Sequence, residues 1–183
     1  GKPLGRFAAE KPDQVAVHPK SGAIYLLSRW KDAQRPEKWG GKAVLAKYAA
    51  FDAATAGAMK PLAQVDGKAF ELMAMDGRSD SPRLWAVINM GWGKPSDLVP
   101  VADKGASLEL GQPINRSGGL TYAMFTAADP ARSRVLVRNR SSRILNVVDL
   151  ATGAVSSMPI AGTDIATDRD GNSPLGFSAS SYL

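Results

Sequence analysis

The sequence predicts an all-β fold: part of a β-propeller, with about three four-stranded blades and the start of a fourth. Three observations carry this. Helical i, i+3, i+4 apolar stripes do not persist beyond about two turns. Eighteen Gly and 12 Pro interrupt the 183 residues every few positions, and short apolar runs occur in pairs around turn-forming residues. A strand ending in Asp, followed by a small polar turn and another strand, recurs at Asp52, Asp103 and Asp149, which are 51 and 46 residues apart. That period is the size of a four-stranded propeller blade.

The elements follow in order. Residues 14–18 and 23–28 flank Pro19-Lys20-Ser21-Gly22, with Pro early and Gly last in the turn. Residues 70–75 and 84–89 flank the segment Asp76 to Pro82, and residues 121–126 and 134–139 flank Asp129-Pro130-Ala131-Arg132. Each pair reads as a hairpin. The best helix candidate is 42–54, rich in Ala, although Val44, Tyr48 and Phe51 also suit a strand. Residues 29–42 read as an unusually long connection. Asp149-Leu150-Ala151-Thr152-Gly153 is a turn in which the carboxylate accepts backbone N–H bonds and Gly supplies a positive φ.

The chain is thus expected to form one propeller-type unit, with blades at approximately 12–66, 69–115 and 120–162 and a further blade beginning in 163–183, where Leu175, Phe177, Tyr182 and Leu183 are apolar. A chain of this length with such a period reads as a fragment or an assembly-dependent subunit. The start at Gly1-Lys2-Pro3, without Met, points the same way.

Composition excludes several kinds of chemistry. There is no Cys and one His, His18. A disulfide framework, a thiolate site, a Cys nucleophile and a multi-His metal cage within this chain are therefore out. No apolar run of transmembrane length occurs. Lys plus Arg is 23 against 17 Asp plus Glu, a net charge of +6, which favours acidic partners.

The segments Arg134-Val135-Leu136-Val137, Ile144-Leu145-Asn146-Val147-Val148-Asp149-Leu150-Ala151-Thr152-Gly153-Ala154-Val155 and Pro159-Ile160-Ala161-Gly162 resemble the strands of the YVTN-type, quinoprotein amine dehydrogenase-like propeller superfamily. The first hairpin, Val15-Ala16-Val17-His18-Pro19-Lys20-Ser21-Gly22-Ala23-Ile24-Tyr25-Leu26, is similar to that superfamily's "V-A-V-x-P-x-x-G-x-I-Y" pattern. The long connection with Trp30 and Lys31 is similar to the heavy chain of the tryptophylquinone amine dehydrogenases. That likeness implies a chain that is chiefly scaffold, with the quinone cofactor on a separate light chain. None of the family's catalytic residues maps onto this sequence.

Four constellations stand out. His18, before Pro19, reads as a turn-flanking side chain. Asp164, Asp168 and Asp170 with Gly171 resemble a Ca²⁺ loop, but the EF-hand register places Ala166 and Phe177 at ligand positions, so it fails. Arg132, Arg134, Arg138, Arg140 and Arg143 put five guanidiniums in 12 residues. They read as a charged edge strand or as a basic patch for an acidic protein; no aromatics interleave for nucleic-acid stacking. Trp85 reads as core. Trp30, Trp39 and Trp92 stand beside Arg, Lys and Gly in loops and read either as packing that anchors those loops or as an interface hot spot.

The resulting expectation is a non-catalytic scaffold or interaction subunit of a periplasmic or secreted complex, with no cofactor or metal in this chain. Its partners would be other protein subunits, an acidic one among them, and not nucleic acid, met by Trp30, Trp39, Trp92, Arg134, Arg138 and Arg140. The alternative is a heavy-chain-like part of an amine dehydrogenase-type quinoprotein whose cofactor lies on another chain.

Overall fold

The computed structural model describes residues 6–31, 39–52, 59–66, 69–90, 94–115, 120, 123–139 and 144–159. Among them lie twelve strands: β1 (Pro12–Val17), β2 (Ile24–Lys31), β3 (Trp39–Tyr48), β4 (Ala63–Val65), β5 (Phe70–Asp76), β6 (Arg83–Ile88), β7 (Asp97–Asp103), β8 (Leu108–Leu110), β9 (Ala123–Asp129), β10 (Arg134–Asn139), β11 (Ile144–Asp149) and β12 (Val155–Pro159). They form three four-stranded sheets, β1-β2-β3-β4, β5-β6-β7-β8 and β9-β10-β11-β12. Every neighbouring pair is antiparallel and consecutive in the chain. Three such meanders stacked face to face are the architecture of a partial β-propeller.

Stacking follows from the alternation of side chains along each strand. In β2, Tyr25 and Leu27 point to the second sheet, where they join Met73, Leu84, Ala86, Val99 and Val101 in one core. In β6 the odd positions do the opposite work: Trp85 and Val87 meet Val135, Val137 and Val148 of the third sheet in a second core. Trp85, expected inside, is 6 % exposed. The first strands run beside each other, with β5 packed against β1 and β9. Met73 ties all three, its N–H donating to Gln14 Oε1 (2.8 Å) and its carbonyl accepting from Thr126 Oγ1 (2.8 Å).

The far face of the first sheet carries a third cluster. Ile24, Leu26, Val44, Ala46 and Tyr48 are covered by Phe7, Ala9, Trp30, Phe51 and Met59, with the Phe7 and Tyr48 rings 5.3 Å apart. This cap stands where a neighbouring sheet would otherwise pack, the usual solution at the end of a repeat array.

Several local expectations need correction. The helix candidate at 42–54 is the strand β3 through Tyr48; period-2 burial of Leu45 on one face and Val44 and Ala46 on the other overrides the Ala content. Of the long connection 29–42, residues 29–31 and 39–42 belong to the paired strands β2 and β3, since Arg29 pairs with Ala43 and Lys31 with Trp39, and 32–38 lie outside the described residues. Trp30 and Trp39 are therefore strand residues. Asp52 lies four residues beyond the end of β3, whereas Asp103 and Asp149 each close a third strand. In the third hairpin the strand runs to Asp129, because Pro130–Arg132 forms a short 3-10 turn closed by Ser133 in the left-handed region. The strand rich in arginine, β10, lies between β9 and β11, so it is not an edge strand. The further blade expected in 163–183 lies outside the described residues.

Candidate partner-binding edge

Strand direction sorts the candidate residues. In each sheet the first and third strands run one way and the second and fourth the other. The hairpin turns after β1, β5 and β9 therefore share one edge of the stack, and the ends of β2, β6 and β10, with the starts of β3, β7 and β11, share the opposite edge. Cross-sheet bonds show the sheets to be aligned end to end. At the turn edge, His18 Nε2 donates to the Ser79 carbonyl (3.0 Å) and Lys20 pairs with Asp80 (2.9 Å). At the opposite edge, Ser96 N–H donates to the Leu120 carbonyl (2.5 Å) just before β9. There the buried Asn115 also accepts from Leu98 N–H (2.6 Å) and donates to the Ser96 carbonyl (2.9 Å).

The opposite edge gathers residues that are far apart in sequence. Trp30 lies near the end of β2, Trp39 opens β3 and Arg138 lies near the end of β10. Trp92 and Arg140, in the sequence of the β6–β7 and β10–β11 connections, lie outside the described residues. Trp30 is half-buried against the cap of the first sheet, with Lys42 Nζ 5.5 Å from its ring centroid. The cation adds to packing at such a distance. Trp30→Ala is expected to cost about 2 kcal/mol, less than a fully buried Trp because part of the ring is already exposed. The check is a denaturant melt in which Lys42→Ala, which removes the cation over the ring, gives a smaller loss that does not add fully to it.

Arg134 lies at the turn edge and closes its own hairpin. Its Nε donates to Asp129 Oδ2 (2.9 Å), which Arg132 also approaches (3.2 Å). Those guanidiniums hold the Asp129 carboxyl below the usual range. The second sheet repeats the device: Asp76, 1 % exposed, pairs with Arg83 (2.7 Å) across the first position of the hairpin. The sequence carries the signal of this device as an Asp before and an Arg after each of the two turns. In the first sheet His18 takes that place. It is fully buried, and the Ser21 N–H donates to its Nδ1 (3.2 Å), so the Nε2 proton serves Ser79. This is the turn-flanking role.

A polar cluster at the seam between the first and second sheets also escaped the sequence reading. Tyr25 Oη donates to Asp103 Oδ2 (2.5 Å), Lys47 Nζ lies 2.8 Å from that oxygen, and Gly105 N–H donates to Asp103 Oδ1 (2.8 Å). Burial opposes the charge on Asp103, but Lys47, Tyr25 and the Gly105 amide outweigh it and hold the carboxyl low. Burial first, then the Asp103 bond and charge, push the Tyr25 hydroxyl far above its ordinary range. At Asp149 the expected turn is formed: Ala151 N–H, Thr152 N–H and Thr152 Oγ1 all donate to Oδ1 (3.0, 2.7 and 2.8 Å). The Thr152 bonds hold this carboxyl low as well.

Among the described residues no helix is long and apolar enough to cross a membrane. Acidic and histidine side chains do not converge there in groups of three with metal-holding geometry.

The stack of meanders defines a propeller-type β protein. No protein-family model matches the chain, and no curated protein matches it at significance. Among solved structures it is similar to the crystal structure of Raptor from Chaetomium thermophilum, with a TM-score of 0.50 and 11 % sequence identity, over 87 % of this chain and 13 % of that one. At that identity the likeness bears on the fold alone, and it agrees with the partial propeller. The chain spans about an eighth of the length of the protein it matches.

Proposed function

We propose that this chain is a non-catalytic scaffold or interaction subunit of a protein complex, and that it meets its partners through the edge carrying Trp30, Trp39 and Arg138. The observation that supports the reading is that strand direction sets Trp30, Trp39 and Arg138 along the same edge of the stack. Aromatics with a guanidinium are the composition of interface hot spots, and the net charge of +6 favours an acidic partner. Trp92 and Arg140, which lie outside the described residues, are further partner-contact residues in this reading. Membership of the YVTN-type, quinoprotein amine dehydrogenase-like superfamily, a periplasmic or secreted location and the lack of a cofactor in this chain are further parts of the proposal. They rest on the strand motifs around Val15–Leu26 and Arg134–Val155 and on the resemblance those motifs carry.

A photo-crosslinking amino acid in place of Lys42, exposed at this edge, is expected to capture a discrete protein band in cells. Trp39→Ala should lower its yield about tenfold, the effect of losing one hot-spot side chain, while Lys20→Ala at the turn edge leaves it unchanged. Equal yields in all three proteins overturn the assignment of the edge. A quinone absorbance band that co-purifies and bleaches with an amine substrate overturns the scaffold reading itself in favour of the amine dehydrogenase-type alternative.

A further inference from the structure

Each seam in the stack joins two kinds of face. The earlier sheet presents one: Tyr25 and Leu27, paired with Lys47 and Leu45, in the first sheet, and Trp85 and Val87, paired with Pro100 and Leu98, in the second. The later sheet receives it on the other. That receiving face holds Met75, Leu84 and Val101 in one row across the second sheet, and Ala128, Val135 and Val148 in the matching row of the third. Among the described residues the stack ends on one face of each kind. The third sheet has Leu136 and Arg138, paired with Val147 and Leu145, at the presenting positions. Leu136, Leu145 and Val147 are only partly buried there, and Met158, paired with Leu145, is 49 % exposed. The first sheet has Val17, Ile24 and Tyr48 in the receiving row, with Val15, Leu26 and Ala46 in the next.

The cap does not complete that receiving face. Trp30 belongs to β2, and Phe51 and Met59 to the connection between β3 and β4, so Phe7 and Ala9 are the cover that comes from outside the sheet. They lie on a short segment, residues 6–10, in which exposed and partly buried positions alternate. It reverses into β1 at Lys11, a non-glycine residue with φ +47°. Phe7 sits against Tyr48, on the β3 side of the sheet. On the β1 side, Val15 and Val17 are each 43 % exposed, whereas Met73, which stands in the second sheet where Val15 stands in the first, is 7 % exposed.

We infer that a second copy of this chain occupies both terminal faces: the third sheet of each copy packs on the first sheet of the other, and residues 6–10 move aside to admit it. Three arguments select this occupant. The contact continues an interface that the chain already makes twice, and its two halves are both present on one chain. Three of the large apolar side chains left exposed among the described residues, Val15, Val17 and Met158, lie on these two faces. Finally, propellers close with about 4–8 blades. Two copies of three sheets bring six, and a head-to-tail contact repeated about a two-fold axis closes such a ring with no face left over. Arg138, the charged member of the presenting face, lies near the end of β10, at the margin of the seam. The inference goes beyond the proposed function, and its failure leaves the partner edge as it stands.

The absence of Cys makes a clean test. Full chains carrying Val17→Cys on the receiving face and Leu136→Cys on the presenting face are mixed and treated with a bis-maleimide of about 10 Å reach, matched to the distance between packed sheets. A cross-link joining the two kinds of chain is expected in at least about tenfold higher yield than one between copies of either protein alone, because only the mixed pair brings both positions to one seam. Light scattering should give the mass of two chains for the unsubstituted protein and of one chain for Val17→Lys, whose site is exposed in the single chain. Circular dichroism checks that each variant keeps its fold. Phe7→Ala, which loosens residues 6–10, should raise the association constant about tenfold. The mass of one chain at every concentration, assemblies larger than two chains, equal cross-linking in mixed and unmixed proteins, or association not raised by Phe7→Ala each overturn the inference.

Discussion

Replacing Asp103 with Ala is expected to destabilise the chain by about 3 kcal/mol, because it leaves the Lys47 ammonium and the Tyr25 hydroxyl at a seam without their shared acceptor. The Lys47 and Asp103 side chains are only 15 % and 9 % exposed, so water cannot replace the lost carboxylate in place. For a chain of this size the loss corresponds to a fall in Tm of roughly 6–12 °C. The control is Asp103→Leu combined with Lys47→Met, which removes both charges; it should recover much of the loss, since a well-packed apolar pair often matches a buried ion pair. A double change as damaging as the single one would show that the charges themselves hold the seam.

The same cluster sets a pH window. Asp103 is held low in the folded chain, so its contribution is present above the unfolded carboxyl value near about 4 and is lost as pH falls through the folded value. Tyr25 is shifted the other way. Its contribution is complete below the unfolded phenol value near about 10 and declines above it, where the unfolded chain ionises first. The contribution of this cluster should be constant between these limits and fall on both sides. Tyr25→Phe should flatten the alkaline fall and leave most of the acid one, to which Asp129 and Asp149 also contribute through their lowered carboxyls.

What the sequence made legible was local. The hairpins and the Asp149 turn rest on neighbours within a few residues, where alternation and turn chemistry act; Trp85 is marked for burial by the apolar strand around it, although Val135, Val137 and Val148 of the third sheet are what cover it. The Asp103 cluster depends on Tyr25 and Lys47, 78 and 56 residues away, and nothing in their own segments marks them as partners. The Arg, Lys and Gly around Trp30 and Trp39 give that stretch the composition of a loop. Only the pairing of Lys31 with Trp39 shows that the two strands continue through that polar stretch. The place of β10 inside its sheet likewise needed β11 and β9 on either side; five arginines along one segment are equally at home on an edge. For the partner edge, residue types were visible in the sequence, but their convergence is a property of strand direction.

Gly153→Ala offers the sharpest probe of the seam between the second and third sheets. Gly153 is buried in the turn after β11 with φ +73°, and a Cβ there would overlap the carbonyl oxygen of Ile114, which belongs to the connection leaving the second sheet. That oxygen is part of a backbone fixed by the bond from Ile114 N–H to the Leu98 carbonyl (2.8 Å), so it cannot rotate away as a side chain would. Two costs then add: about 1 kcal/mol for a non-glycine residue in the left-handed region and about 2 kcal/mol for forcing the packed backbone apart. Gly105 separates them. It has φ +85° and no atom within 4 Å of its would-be Cβ, so Gly105→Ala should cost only the first, about 1 kcal/mol. Denaturant melts of the two variants are expected to differ by about 2 kcal/mol. Hydrogen exchange should place the extra loss of Gly153→Ala in the amides of residues 96–98 and 114–115, where the second sheet meets the third. Equal melts for the two variants would show that the close approach of Gly153 to Ile114 contributes nothing to holding these sheets together.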